Sequence, residues 1–234
     1  MTQEEFIKEL DKKGYSYEIE GDRIIVNWNW HVYLNALTSL PPGVEFKNKG
    51  VVYLDSLTSL PRGVEFKNKG VVNGGGVYLR SLTSLPPDVV FNNGGGVNLR
   101  SLTSLPPGVV FRNEGDVDLF ALTSLPPGVV FNNEGYVDLG SLTSLPPEVV
   151  FNNGGGVNLR SLTSLPPGVV FRNEGRVYLD SLTSLPPDVE FRNRGYIKLI
   201  SLVGGWFSDW KGNIEGIDNK RLLHVMIKQG VFER

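Results

Sequence analysis

The sequence predicts a mainly β protein: a right-handed parallel β-solenoid of about nine stacked coils, closed by an α/β cap at one end and a helical cap at the other. Three observations point there. The pentapeptide Leu-Thr-Ser-Leu-Pro begins at Leu37, Leu57, Leu82, Leu102, Leu122, Leu142, Leu162 and Leu182, at intervals of 20 residues except for one of 25. Each unit holds two short stretches in which apolar and polar residues alternate, the period of a strand. A 20-residue unit has no room for a full helix beside two strands, and one unit cannot bury its own apolar side chains, so the units must stack.

Residues 1–31 read as the N-terminal α/β cap. Thr2 and Glu5 stand at capping-box spacing ahead of Phe6, Ile7 and Leu10, which predicts a helix through Lys12 stopped by Gly14. Tyr15 to Ile19, a turn at Gly21-Asp22, and Arg23 to Val26 then form a hairpin. Alternation runs on through Trp28, Trp30, Val32 and Leu34, which points both tryptophans at the core.

The repeat array fills residues 32–202. In the unit LTSLPPGVVFNNEGYVDLGS, from Leu122 to Ser141, the first strand faces Val129, Phe131 and Asn133 inward, and the second faces Val137 and Leu139 inward. Leu142 and Leu145 add a third apolar pair before Pro146-Pro147 turns the chain in an extended conformation. Gly135, between the strands, is expected at positive φ. The 25-residue interval joins FKNKGVV (66–72), a copy of the preceding unit, to NGGGV (73–77), a copy of 93–97. A glycine-rich loop projecting around Val71 to Gly76 follows. Residues 203–234 read as the C-terminal helical cap, with Asp218 or Asn219 capping a helix through Gln229 whose apolar face is Leu222, Leu223, Met226 and Ile227. Trp206, Phe207 and Trp210 precede it and are read as cap packing, with a sugar-stacking platform as the alternative.

On the LTSLP motif and its 20-residue spacing, the array resembles the short leucine-rich repeats of bacterial proteins. With its GDRIIV opening and RLLHVMIKQG close, the pattern also looks like uncharacterised tandem-repeat proteins of phages and gut bacteria. The resemblance implies leucine-rich-repeat-like coils and brings no activity with it.

Composition removes several function classes. A net charge of -2, from 23 Lys+Arg against 25 Asp+Glu, leaves no electrostatic case for nucleic acid. No apolar run approaches the ~18 residues of a membrane span, and the charged, amphipathic N-terminal stretch makes the cytoplasm the expected location. With no cysteine there is no thiol chemistry, no disulfide and no thiolate zinc site. A serine triad needs a base, and the only histidines are His31 and His224, both outside the array. The column Asn48, Asn68, Asn93, Asn113, Asn133, Asn153, Asn173 and Asn193 reads as an internal ladder that satisfies turn backbone groups by stacked amide hydrogen bonds, and the Thr and Ser hydroxyls of LTSLP as serving their corner. The turns Asn93–Gly96 and Asn153–Gly156 lack the Lys-Ser/Thr of a phosphate loop, and Asp116 alone makes no calcium-binding roll. No metal or cofactor is implied, and no enzyme.

The outward columns carry the remaining information. Between the inward Val and Phe, the array places Glu45, Glu65, then Val90, Val110, Val130, Val150 and Val170, then Glu190, an apolar stripe bounded by glutamates and a candidate homodimer contact. On the other strand, one outward column holds Tyr53, Tyr78, Asp118, Asp138 and Tyr178, and the next holds Arg80, Arg100, Phe120 and Arg160. These residue types suit recognition, and they vary where the rest of the repeat does not. The expectation is a non-enzymatic scaffold binding a protein partner through this face, in the manner of a phage effector of host proteins. Two alternatives stand beside it. One is a carbohydrate-binding or carbohydrate-cleaving solenoid, since Asp118 and Asp138 fall ~5 Å apart by strand spacing, with Arg100 and Arg160 flanking them. The other is a self-assembling structural protein.

Overall fold

The computed structural model describes residues 1–70, 75–184, 186, 188–199, 201 and 205–206. Helix α1 (Gln3–Lys13) opens with the capping box: the Glu5 N–H donates to the Thr2 hydroxyl, and the Thr2 N–H to the Glu5 carboxylate. Gly14 ends it at φ 68°, and Phe6 and Leu10 are buried against the solenoid. β1 (Tyr17–Glu20) and β2 (Arg23–Val26) form the hairpin, antiparallel from Tyr17↔Val26 to Glu20↔Arg23.

From β2 onward the chain alternates between two sheets. After β2, the first sheet takes β4 (Val44–Phe46), β6 (Glu65–Phe66), β8 (Val90–Phe91), β10 (Val110–Phe111), β12 (Val130–Phe131), β14 (Val150–Phe151), β16 (Val170–Phe171) and β18 (Glu190–Phe191). The second takes β3 (Val32–Tyr33), β5 (Val52–Tyr53), β7 (Val77–Tyr78), β9 (Val97–Asn98), β11 (Val117–Asp118), β13 (Val137–Asp138), β15 (Val157–Asn158), β17 (Val177–Tyr178), β19 (Ile197–Leu199) and β20 (Gly205–Trp206). Neighbours pair parallel, one coil apart, except where β1 meets β2 and β20 meets β19 antiparallel. The protein is a parallel β-solenoid, and its first coil begins at β2, where Ile24 pairs with Val44 and Val26 with Phe46. The hairpin inside residues 1–31 therefore merges into the array.

Register survives the irregular interval, because Tyr53 pairs with Tyr78 and Phe66 with Phe91 across 25 residues. Asn68, whose amide would otherwise reach the glycine two residues on, reaches the Gly75 carbonyl instead. The five extra residues thus fall between Asn68 and Gly75. Val71 to Gly74, the heart of the expected loop, lie outside the described residues, as do the expected helix at 218–229, His224 and the aromatic side chains of Trp206, Phe207 and Trp210.

The interior is a set of columns. Phe46, Phe66, Phe91, Phe111, Phe131, Phe151, Phe171 and Phe191 stack with centroids 5.0 to 5.8 Å apart and planes within 14°. Such offset stacking adds to the burial of each ring. The Asn column is buried throughout and, as expected, its amides satisfy backbone groups of the turns. Asn133 Nδ2 donates to the Gly135 carbonyl at 3.0 Å and to the Gly115 carbonyl of the preceding coil at 3.2 Å. Gly135 in turn also accepts from Asn153 at 3.1 Å, so each carbonyl ties two coils. The Oδ1 atoms of the column accept no hydrogen bond from the described residues. On the strandless side, the Thr hydroxyls bridge coils instead of serving their own corner: Thr83 donates to Thr58, Thr143 to Thr123 and Thr183 to Thr163, at 3.0 to 3.2 Å.

Two local expectations are corrected. Gly135 does not have positive φ; the regular units place left-handed glycines in the slot after the proline pair, as at Gly108, Gly128 and Gly168, and Glu148 occupies the same slot at φ 59°. Gly135 is required by space, since a Cβ there would stand 2.4 Å from the Gly115 carbonyl carbon. The same geometry explains Trp30, which is 63% exposed while Trp28 packs on Tyr15 at 5.7 Å. Trp30 occupies the position of Gly50, where a Cβ would meet the backbone of the coil below at 2.6 Å. Only the first coil, with no coil below it, can carry a side chain at this tight corner, and that side chain points outward.

Near this end Glu45 is buried at its outward position on β4, ringed by Arg23, Lys47 at 3.2 Å and Lys67 at 3.3 Å. Burial alone would raise its carboxyl pKa, but hydrogen bonds from the two lysines outweigh it and hold the group below its ordinary value.

Candidate recognition face

The outer face of the second sheet carries three columns. The middle one begins with Tyr33, Tyr53 and Tyr78, whose rings stack at 4.9 and 5.1 Å with planes 5° apart. His31 meets the edges of Tyr33 and Tyr53, and Tyr33 is half exposed. The column continues with Asn98, Asp118, Asp138, Asn158, Tyr178 and Lys198. Parallel pairing puts Asp118 opposite Asp138. Each carboxylate is engaged in its own corner: Asp118 accepts from the Phe120 N–H at 3.2 Å, and Asp138 from Gly140 N–H at 3.0 Å and Asn158 Nδ2 at 2.8 Å.

The arginines of the next column lie on aromatic rings and pair with carboxylates. Arg100 lies 4.5 Å from the Phe120 centroid and 3.5 Å from Asp118; Arg160 lies 5.0 Å from Tyr178 and 3.3 Å from Asp180; Arg80 lies 4.6 Å from Tyr78 and 3.2 Å from Asp55. Arg100 thus balances Asp118, whereas Arg160 serves Asp180 and not Asp138. Phe120 remains 39% exposed.

The third column, His31, Val51, Gly76, Gly96, Asp116, Tyr136, Gly156, Arg176 and Tyr196, was only partly read from sequence. Its glycines create depressions. One, of about 460 Å³, is floored by Gly76, Gly96, Val97 and Asn98 and walled by Tyr78 on one side and Asp116 and Asp118 on the other. At the second, over Gly156, a Cβ would touch Tyr136 at 3.2 Å: the Tyr136 ring covers the hollow and meets Tyr178 edge-on at 6.4 Å. Burial, then the charges of Asp138 and Tyr178, raise the Tyr136 phenol well above its ordinary pKa. The signal for both lies in the sequence, as glycines at 76, 96 and 156 beside residues one coil away.

On the first sheet, Val90, Val130 and Val150 are 38%, 36% and 38% exposed, and Val110 and Val170 are half buried. Among the described residues, nothing covers Val90, Val130 or Val150. A groove of about 460 Å³ runs beside the stripe, lined by Val130, Val150, Pro127, Pro146 and Pro147 among others. Among the described residues no three His, Asp or Glu side chains gather as a metal site, and no helix is long and apolar enough to cross a membrane. Comparison of the chain with protein-family models, curated proteins and solved structures finds no match.

Proposed function

We propose that the protein is a non-enzymatic recognition module that binds a protein partner through the outer face of its second sheet. The observation that carries this reading is the concentration of exposed and half-exposed rings, with guanidinium groups lying on them, in columns of one face that vary between otherwise matching coils: Tyr53, Tyr78, Arg80, Arg100, Phe120, Arg160 and Tyr178. Aromatic and arginine side chains supply most of the binding energy in protein interfaces. Asp118 and Asp138 belong to this face as acceptors. Their engagement by backbone N–H groups favours a positioning role over the paired acid and nucleophile of a glycosidase.

The test is selection from a displayed random-peptide library on the intact protein. Enrichment that disappears in the Tyr53→Ser, Phe120→Ser, Tyr178→Ser triple variant, with far-UV circular dichroism unchanged, supports the reading. Enrichment indifferent to those changes removes it, and saccharides bound on a glycan array in its place favour the carbohydrate alternative.

A second reading, self-association of two copies through the valine stripe, is favoured by the exposure of Val90, Val130 and Val150 along one line. Light scattering tests it: a dimeric mass that falls to the monomer in Val130→Glu with Val150→Glu supports it, and a monomer at all concentrations ends it.

A further inference from the structure

We infer that the open depression between Tyr78 and the Asp116–Asp118 pair is a socket for an arginine side chain of the protein partner. The inference rests on the reading of the second sheet as a recognition face and names what one position on it takes. Three observations carry it. The first is shape. The tyrosine stack stops at Tyr78, and the next position, Asn98, is shorter and flanked by Gly76 and Gly96. Tyr78 and Asp118 stand two strand spacings apart, ~9.6 Å, so a flat group over Asn98 lies ~4.8 Å from each level. The protein demonstrates that such a hollow takes a flat group, because the equivalent one over Gly156 holds the Tyr136 ring.

The second is charge. Where the filled hollow is followed by Arg176 and Tyr178, the open one is followed by Asp116 and Asp118. Asp116 is exposed; one of its oxygens accepts the Tyr136 N–H at 2.7 Å, and the other has no partner among the described residues. Asp116 is the wall carboxylate left without a cation among the described residues, because Arg80 pairs with Asp55 of the preceding coil and Arg100 pairs with the other wall carboxylate, Asp118. Neither arginine lines the depression. The third is precedent within the molecule. Three times on this face a guanidinium is held between a ring and a carboxylate, by Tyr78 with Asp55, Phe120 with Asp118, and Tyr178 with Asp180. In the socket the ring is Tyr78, whose own Arg80 lies outside the depression, and the carboxylate without a guanidinium is Asp116. A flat cation that stacks on a tyrosine and accepts a carboxylate's charge is an arginine head group.

The experiment is a titration of the isotope-labelled full chain with N-acetyl-arginine amide, followed by nuclear magnetic resonance. The expected result is a saturable shift of the Gly96, Asn98 and Asp116 backbone signals, on the order of millimolar affinity, with Gly156 and Asn158 unmoved. N-acetyl-citrulline amide, which keeps the shape and loses the charge, is expected to bind at least tenfold more weakly, as is maltotriose. Asn98→Tyr, which extends the ring stack into the hollow, and Asp116→Asn are each expected to abolish the shifts. Equal response to citrulline, stronger response to maltotriose, or no response at all would falsify the socket. If peptides selected on the face lack arginine yet still depend on Phe120 and Tyr178, the socket fails and the recognition face stands. If peptide selection ignores the face altogether, the broader reading fails.

Discussion

Residues 89–115 and 149–175 have the same sequence, VVFNNGGGVNLRSLTSLPPGVVFRNEG, yet they do not have the same surroundings. Inside, the two stretches are alike: Asn93 and Asn153 donate to the carbonyls at 95 and 155 at 2.8 and 2.9 Å. Outside, they part. Gly96 and Asn98 are half exposed, whereas Gly156 and Asn158 are buried. The cause sits one coil away. The first stretch lies between Gly76, Tyr78 and Asp116, Asp118; the second lies between Tyr136, Asp138 and Arg176, Tyr178. Each coil's own residues set its interior, and the residues 20 positions before and after set its surface.

That separation is breakable, and the largest test concerns the interior. A Cβ on Gly115 or Gly175 would stand 2.4 Å from the backbone nitrogen of Gly96 or Gly156. Gly115→Ala and Gly175→Ala should therefore destabilise by similar amounts, about 3 kcal/mol or more, read as parallel drops in denaturant midpoint. A large inequality would mean that surface neighbours reach into the winding itself. Asn93→Ala and Asn153→Ala come next, each removing bonds to three glycine carbonyls, at about 2 kcal/mol apiece and again nearly equal.

The outer face should behave in the opposite way. Tyr136→Ala uncovers Gly156 and Asn158 and should cost about 1–2 kcal/mol, while making the amide protons of 156–158 exchange as freely as those of 96–98. If exchange at Asn158 stays slow, the ring is not what covers it.

The N-terminal coils offer a second contrast, since Glu45 stands buried among cations where later coils carry valine. Its carboxyl is held below the ordinary 4.5, so the stability it contributes is in full above that pH and is lost as pH falls through the lowered value. Lys67 is held above the ordinary 10.5, chiefly by its bond to Glu65, so its contribution is full below that pH and is lost as pH rises through the raised value. Acid melting should show this loss in the native protein and not in Glu45→Val. The smallest effect concerns Glu148, the non-glycine residue at φ 59° in the slot that Gly128 and Gly168 fill. Glu148→Gly should raise the denaturant midpoint slightly, by about 0.5–1 kcal/mol of stability, as left-handed strain is relieved against added chain entropy.

Much of this was legible in one dimension. The Leu-Thr-Ser-Leu-Pro period gave the winding, and alternation gave the Phe and Asn columns, because both depend on a residue's own place in its coil. Gly135 was misread because a turn glycine usually answers to φ, whereas here the limit is the coil beneath it. Trp30 was misread because strand alternation was carried through a corner. The filled hollow went unseen because no property of 149–175 distinguishes it from 89–115. It follows from Tyr136, and only after the columns have been aligned.

The preserved pairing across the 25-residue interval has a consequence for spacing. Length irregularity is shed sideways, so the distance along the stack between any two surface positions depends on how many windings separate them. Inserting one more copy between the open and the covered hollow would move them apart by a single strand-to-strand step, ~4.8 Å, with neither altered. Gene duplication thus works on this molecule as a graduated scale, moving contact points in whole increments.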